Sequence, residues 1–232
     1  MSPVPPASAR SEPSTAAPRR GRLAVLASGR GSNLATLLAA CKDGQLVADV
    51  VVVVSDNDDA PALDLARDAG VPAVAVSWAK HRALGGSRDG FDARVADVVA
   101  RHNPDLVILA GYMRIVGAPM LEAFDDRLLN LHPALPGAFA GTDAIARAHQ
   151  AFAEGKLQRT GVMVHRVTAV VDGGDPIAIE AVAMVDGESV DALAVRMHEA
   201  EHRVIVRAVA RALPAAMADC DHRDALEHRS PR

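Results

Sequence analysis

Short apolar runs alternate along this chain with longer amphipathic stretches. Residues 23–27 are apolar, then comes SGRGSN, then the helix-like NLATLLAACK. That order predicts strand, glycine loop, helix. Residues 47–54 form an apolar run ending at Ser55-Asp56-Asn57, as suits a strand covered on both faces. A helix is predicted over 61–69, with Pro61 at its start and Gly70 just past its end. Strands over 71–76 and 106–109 flank a helix over 91–101. The βαβαβαβ order predicts a doubly wound parallel sheet.

The second half changes character. Residues 128–130 make a short apolar step into a Pro/Gly-rich loop, 133–142. A helix over 144–154 precedes strands over 161–167 and 177–183, which flank a turn reading Asp172-Gly173-Gly174-Asp175. That connection is longer than two residues and predicts a wide hairpin or a functional loop. A long helix is predicted over 189–213, and the polar residues 214–232 read as a frayed tail. Residues 1–20 are mostly Pro, Ala, Ser and Arg with one Glu, a composition too poor in apolar groups to fold. The expected organisation is a disordered extension (1–20), one domain (21–213) and a tail (214–232).

Composition narrows the classes of function. A net charge of −4 and a pI near 6.1 give no basic field for nucleic acid. No run of eighteen apolar residues exists, so no membrane span is expected. Arg19-Arg20 ahead of LAVLA has the outline of an export signal, but Ser28-Gly29-Arg30 interrupts an apolar run that is already too short. Cys41 and Cys220 fit no metal site, and a reducing, cytoplasmic setting is the simplest home.

Three features carry chemistry. In SGRGSN, small residues let backbone N–H groups approach an anion, and the next helix adds its positive end. The spacing matches neither a Walker loop nor the dinucleotide fingerprint, and plain turn geometry is the competing reading. Asn130 and His132 follow a predicted strand end and, two apart, face the same way, toward the crevice where such sheets bind ligands. A strand-capping Asn and a His satisfied by backbone remain the alternative. Asp172 is either ordinary turn chemistry or the partner of that His. Together Asn, His and Asp offer a neutral donor, a proton carrier and its orienting carboxylate. That set suits attack on a carbonyl carbon, with the attacking group supplied by a substrate. His198-Glu199-Ala200-Glu201-His202 has the outward form of a zinc helix pair, without an evident third ligand.

Six segments in register then carry a resemblance: LAVLASGRGSNLATLL, VVVVSDNDDAPALDLARDAGVP, PDLVILAGYMRIV, RLLNLHPALPGAF with the Gly141-Thr142 that follows, TGVMVHRVTAVVDGGDPIA and RMHEAEHRVIV. Over roughly residues 22–212 the chain resembles the phosphoribosylglycinamide formyltransferases, folate-dependent enzymes of purine synthesis. The resemblance implies a Rossmann-like, mostly parallel α/β sheet with helices on both faces and an antiparallel C-terminal part. It implies direct transfer of formyl from 10-formyltetrahydrofolate, as co-substrate and with no metal, to the amine of glycinamide ribonucleotide. Asn130, His132 and Asp172 would be the catalytic set, with His132 held protonated by Asp172. Gly31, Ser32 and Asn33 would hold the phosphate. Glu201 would hold the ribose or glycinamide part, and His165 would support the site. Met113, Arg114, Ile115, Val116, Leu131, Thr168 and Val171 would line the folate pocket. The partners are then two small molecules, with no nucleic acid and no membrane. The sequence leaves the oligomeric state open, a homodimer being one of the states such folds adopt.

The chain departs from the pattern in places. Asp143 stands where many relatives carry His, Asp175 adds a residue to the DGG turn, and residues 78–88 align poorly. A formyltetrahydrofolate hydrolase would be expected to carry a further N-terminal domain, and a methionyl-tRNA formyltransferase a C-terminal one. A non-catalytic module of this fold would lack the Asn/His/Asp set, and a dehydrogenase would show GxGxxG where this chain has GRGSN.

Overall fold

The computed structural model describes residues 19–227. The expected N-terminal disordered stretch therefore lies, except for Arg19 and Arg20, outside the described residues.

Seven strands form one sheet in the order β3-β2-β1-β4-β5-β6-β7. They are β1 (Gly21–Leu26), β2 (Ala48–Ser55), β3 (Ala73–Ala75), β4 (Leu106–Leu109), β5 (Leu128–His132), β6 (Arg159–Arg166) and β7 (Pro176–Ala183). Strands β1 to β5 pair in parallel, while β6 and β7 add in antiparallel fashion. The expected Rossmann-like sheet with an antiparallel C-terminal part is what forms.

The helices are α1 (Ser32–Lys42), α2 (Pro61–Asp68), α3 (Trp78–Ala83), α4 (Arg88–Ala100), α5 (Ala118–Phe124), α6 (Ala144–Ala153) and α7 (Val190–Glu227). Strand β1 shows why both faces must be covered, since successive side chains point to opposite sides. Leu23 and Val25 join a core with Leu34, Leu37, Met197 and Val204 of α1 and α7. Ala24 and Leu26 join a second core with Phe91, Val95 and Val99 of α4 and Met120 and Phe124 of α5. A strand buried on both sides must be apolar throughout, which is why the run reads as continuous.

Two helices were not expected. In α3, Ser77 accepts a hydrogen bond from the Lys80 N–H; its six residues are too few for the periodicity to show. Helix α5 carries Pro119 in its first turn, a start signal that a fuller reading of GAPMLEAF supplies.

Helix α7 corrects the expected frayed tail, because it runs 38 residues and passes Pro214. Packing outweighs the polar composition and the missing N–H of Pro214. Ala212, Leu213 and Ala216 are buried on its inner face. Arg19 also clamps it: its guanidinium donates to Asp221, to the Met217 carbonyl and, bidentately, to the buried Asp105.

Candidate active site

The sheet's order reverses between β1 and β4, since β2 and β3 lie on one side and β5 to β7 on the other. The loops leaving these two strands flank a crevice at that point. They are tied together: the Ser28 N–H donates to the Gly111 carbonyl, and the Met113 N–H donates to Ser28 Oγ at 2.8 Å.

Beside them, the ends of β5 and β6 and the turn after β6 enclose a cavity of about 400 Å³. Asn130 and His132 reach it from alternate positions of β5, and His165 from β6, where it pairs with Asn130 across the strands. Asp172 comes from the β6–β7 turn, where its φ of +51° lies in the left-handed region that Asp tolerates. In that turn, a side chain at Gly174 would place its Cβ 1.9 Å from the Arg166 carbonyl oxygen, so only glycine lets the chain pass there.

The polar groups meet at Asp172. Asn130 Nδ2 donates to its Oδ1 at 3.0 Å, and the Gly141 N–H donates to its Oδ2 at 2.8 Å. His132 Nδ1 lies 3.4 Å from Oδ2, and His165 Nε2 lies 3.5 Å from Oδ1. Burial raises the proton affinity of Asp172, yet the adjacent His165, the hydrogen bond from Gly141 and the nearby His132 outweigh it. The carboxyl is held below its ordinary range and stays ionised.

His132 behaves differently from the expectation that Asp172 keeps it protonated. Its residue is 4% exposed, and burial pushes its pKa below the ordinary value. The attraction of Asp172 and the bond to the Phe139 carbonyl work the other way and are outweighed. The resting ring is neutral at pH 7. Its Nε2 lies 3.2 Å from the Phe139 oxygen, so both ring nitrogens face acceptors and only the cation could satisfy both at once.

All the expected folate-side residues line this one cavity: Met113, Arg114, Ile115, Val116, Leu131, Thr168 and Val171. Met113 is 71% exposed and Ile115 55%, apolar surface left uncovered at the cavity mouth. Arg114 stacks its guanidinium over Trp78, 4.1 Å from the ring centre.

The expected phosphate-side residues lie apart from that cavity. Gly31 caps α1 in the left-handed conformation, φ +81°, and Ser32 is exposed at the helix N-terminus. Asn33 is buried, its Nδ2 donating to Glu201 Oε2 at 3.0 Å, while its Oδ1 has no partner. Glu201 of the HEAEH stretch is thus engaged with the glycine loop. Among the described residues no group of three or more His, Cys, Asp or Glu side chains is placed to hold a metal, and no helix is long and apolar enough to cross a membrane. Sequence reasoning assigned no role to Ser28, Phe139 or Gly141, which lie within the quoted segments but act through backbone or short polar groups.

The fold and this cluster define a class: an α/β protein whose switch-point crevice presents an amide, an imidazole and a carboxylate to a carbonyl-sized target. Comparison with known proteins places it more narrowly. The formyl transferase family model matches residues 21–209, and the chain belongs to that family. It is 38% identical to the phosphoribosylglycinamide formyltransferase of Schizosaccharomyces pombe, over 81% of this chain and 94% of that protein. It is 42% identical to the Mycobacterium tuberculosis protein of the same name, over 82% and 83%. Among solved structures, glycinamide ribonucleotide transformylase 1 of Symbiobacterium toebii superposes with a TM-score of 0.78 at 40% identity, covering 88% of this chain and 92% of that one.

Proposed function

We propose that this chain transfers the formyl group of 10-formyltetrahydrofolate to the amine of glycinamide ribonucleotide. The observation that carries the reading is the convergence of Asn130, His132 and Asp172 in a cavity that the Met113–Val116 loop also lines. A largely apolar cavity of this kind suits a flat heteroaromatic ring. The folate supplies an activated formyl carbon.

The residues then divide the work. In the resting site Asn130 has one amide proton on Asp172 and the other toward His165 Nε2, at 3.2 Å. The second contact is the longer, and giving it up lets Nδ2 donate to a carbonyl oxygen as negative charge grows there. His132, neutral at rest, takes the proton that the attacking amine must lose and returns it to the departing folate nitrogen. Asp172 stabilises the imidazolium in between, and the Phe139 carbonyl accepts its second N–H. Gly31, Ser32 and Asn33 hold the ribonucleotide phosphate at the positive end of α1. Glu201, oriented by Asn33, holds the ribose or glycinamide part, and His165 supports the catalytic set.

The test is tetrahydrofolate release from 10-formyltetrahydrofolate with and without glycinamide ribonucleotide. Release that requires the ribonucleotide supports the reading. Release without it makes water the acceptor and the enzyme a hydrolase, and no release in either case makes the chain a binding module.

A further inference from the structure

The segment from Phe139 to Asp143 is held in a conformation that its residues do not favour. Phe139 has φ +49° and Asp143 φ +56°, with Gly141 at +84° between them. Non-glycine residues are strained in this region and persist there only where surrounding contacts over-determine them. Three contacts do so. The Gly141 N–H is fixed to Asp172 Oδ2, and the Phe139 carbonyl lies against His132 Nε2. The third contact is Arg147, in the first turn of α6. Its terminal nitrogen donates to the Phe139 carbonyl at 2.6 Å and to the Ala140 carbonyl at 2.8 Å. Its guanidinium carbon also lies 5.8 Å from the centre of the Phe139 ring.

One carbonyl oxygen, that of Phe139, is thus shared between an exposed arginine and the buried imidazole. A shift in that oxygen changes what the ring's Nε2 faces, and with it the ring's tautomer and tilt. The other titratable groups near the ring, Asp172 and His165, bear on its opposite side or on Asp172 itself and do not fix Nε2.

We propose that Arg147 is a positioning residue for His132, acting through the Phe139 carbonyl. This rests on the formyl-transfer reading for its kinetic consequence but not for its structural one. Arg147 is exposed, so its side chain is not part of the packed core.

The experiment compares wild type, Arg147→Met and Arg147→Lys by thermal melting, by steady-state kinetics and by long-range ¹H–¹⁵N spectra of the imidazoles. The expected result for Arg147→Met is a melting temperature close to wild type, Michaelis constants for both substrates within about threefold, and kcat down about tenfold to a hundredfold, the scale of a small misplacement of a catalytic group. The His132 ring nitrogens shift in the same variant. Arg147→Lys, which still donates to backbone carbonyls, restores both kcat and the spectrum in large part. Unchanged His132 resonances in Arg147→Met overturn the proposal, as does a loss of activity confined to the Michaelis constants. If wild type shows no ribonucleotide-dependent release, the functional reading fails and the spectra alone decide the link between Arg147 and His132.

Discussion

Asn130 and Asp172 are joined by a hydrogen bond of 3.0 Å across forty-two positions of sequence, coupling the end of β5 to the turn between β6 and β7. The same carboxylate receives the backbone of the loop after β5 through Gly141. One ionised group therefore orders three pieces of chain around the cavity, and its substitution differs in kind from substitution of its neighbours.

Replacing Asn130 with Ala removes a donor without burying an unpaired charge. Asn130→Ala is expected to lose about a hundredfold to a thousandfold in kcat, the usual effect of removing an oxyanion donor, while remaining folded. His132→Ala is expected to lose at least as much. Near-wild-type turnover by both variants, measured alongside circular dichroism, would remove them from the catalytic role.

Asp172→Asn combines two effects. It weakens the acceptor for Gly141 and Asn130, and it removes the charge that stabilises an imidazolium at His132. The expected outcome is loss of turnover together with increased proteolytic cleavage in the loop 133–143. Cleavage no faster than in wild type would show that the loop is held without this carboxylate.

Much of this arrangement was legible in the sequence. Continuous apolar runs placed β1, β2 and β4 because parallel strands buried on both faces leave no polar side. Asn130, His132 and Asp172 were legible as residue types suited to one reaction, and the six-segment resemblance supplied their association. The neutral state of His132 was not legible. A carboxylate neighbour argues for a raised pKa, and the opposing effect is burial, which a linear pattern does not show. Nor was the helix beyond Leu213, since part of what holds it is a clamp from Arg19, some two hundred positions away. Phe139 and Gly141 contribute backbone atoms, which no residue type signals.

The protonation states give a prediction for stability. His132 has a folded pKa below 6.5, so the unfolded chain takes up its proton first as the solution is acidified. Above that value both states are neutral and the ring has no effect. Below it, stability falls until the folded ring is also protonated. Asp172 is depressed below 3.8, so the stability it contributes is present above that pH and is lost only as pH falls through its lower folded value. Urea midpoints at pH 7.5 and about pH 5 therefore isolate His132 from Asp172. His132→Gln is expected to lose less stability than wild type between the two. An equal or larger loss in the variant would contradict the lowered pKa.

Arg19 tests the clamp on α7. Asp105 is 3% exposed in its side chain and is held below its ordinary pKa; burial opposes this, and the Arg19 guanidinium and the Arg22 N–H outweigh it. Arg19→Ala leaves a buried carboxylate with the Arg22 N–H and the Cys220 thiol as its donors. Arg19 is 38% exposed, so screening by solvent reduces the cost, and about 1–2 kcal/mol is expected. Hydrogen exchange in residues 214–227 should accelerate more than in the first half of α7. Uniform exchange along the helix would show that packing alone holds its end.

Gly31 tests the proposed phosphate side of the site. Its φ of +81° is one that an L side chain adopts at a cost of roughly 1–2 kcal/mol. A Cβ there would also stand 2.9 Å from Cβ of Ala62 and 3.0 Å from its Cα, both in the packed start of α2. Neither is the end of a flexible side chain, so the loop itself must give. Gly31→Ala is accordingly expected to cost about 2 kcal/mol or more, lowering the melting temperature by about 4–8 °C. The same shift displaces the N–H groups at the start of α1. The Michaelis constant for glycinamide ribonucleotide should then rise about tenfold or more, consistent with loss of charge-assisted hydrogen bonds, while that for 10-formyltetrahydrofolate stays close to wild type. If both constants rise together, the loop is a structural turn shared by the two sides. If the melting temperature falls while both constants stay at wild-type values, the phosphate is held elsewhere.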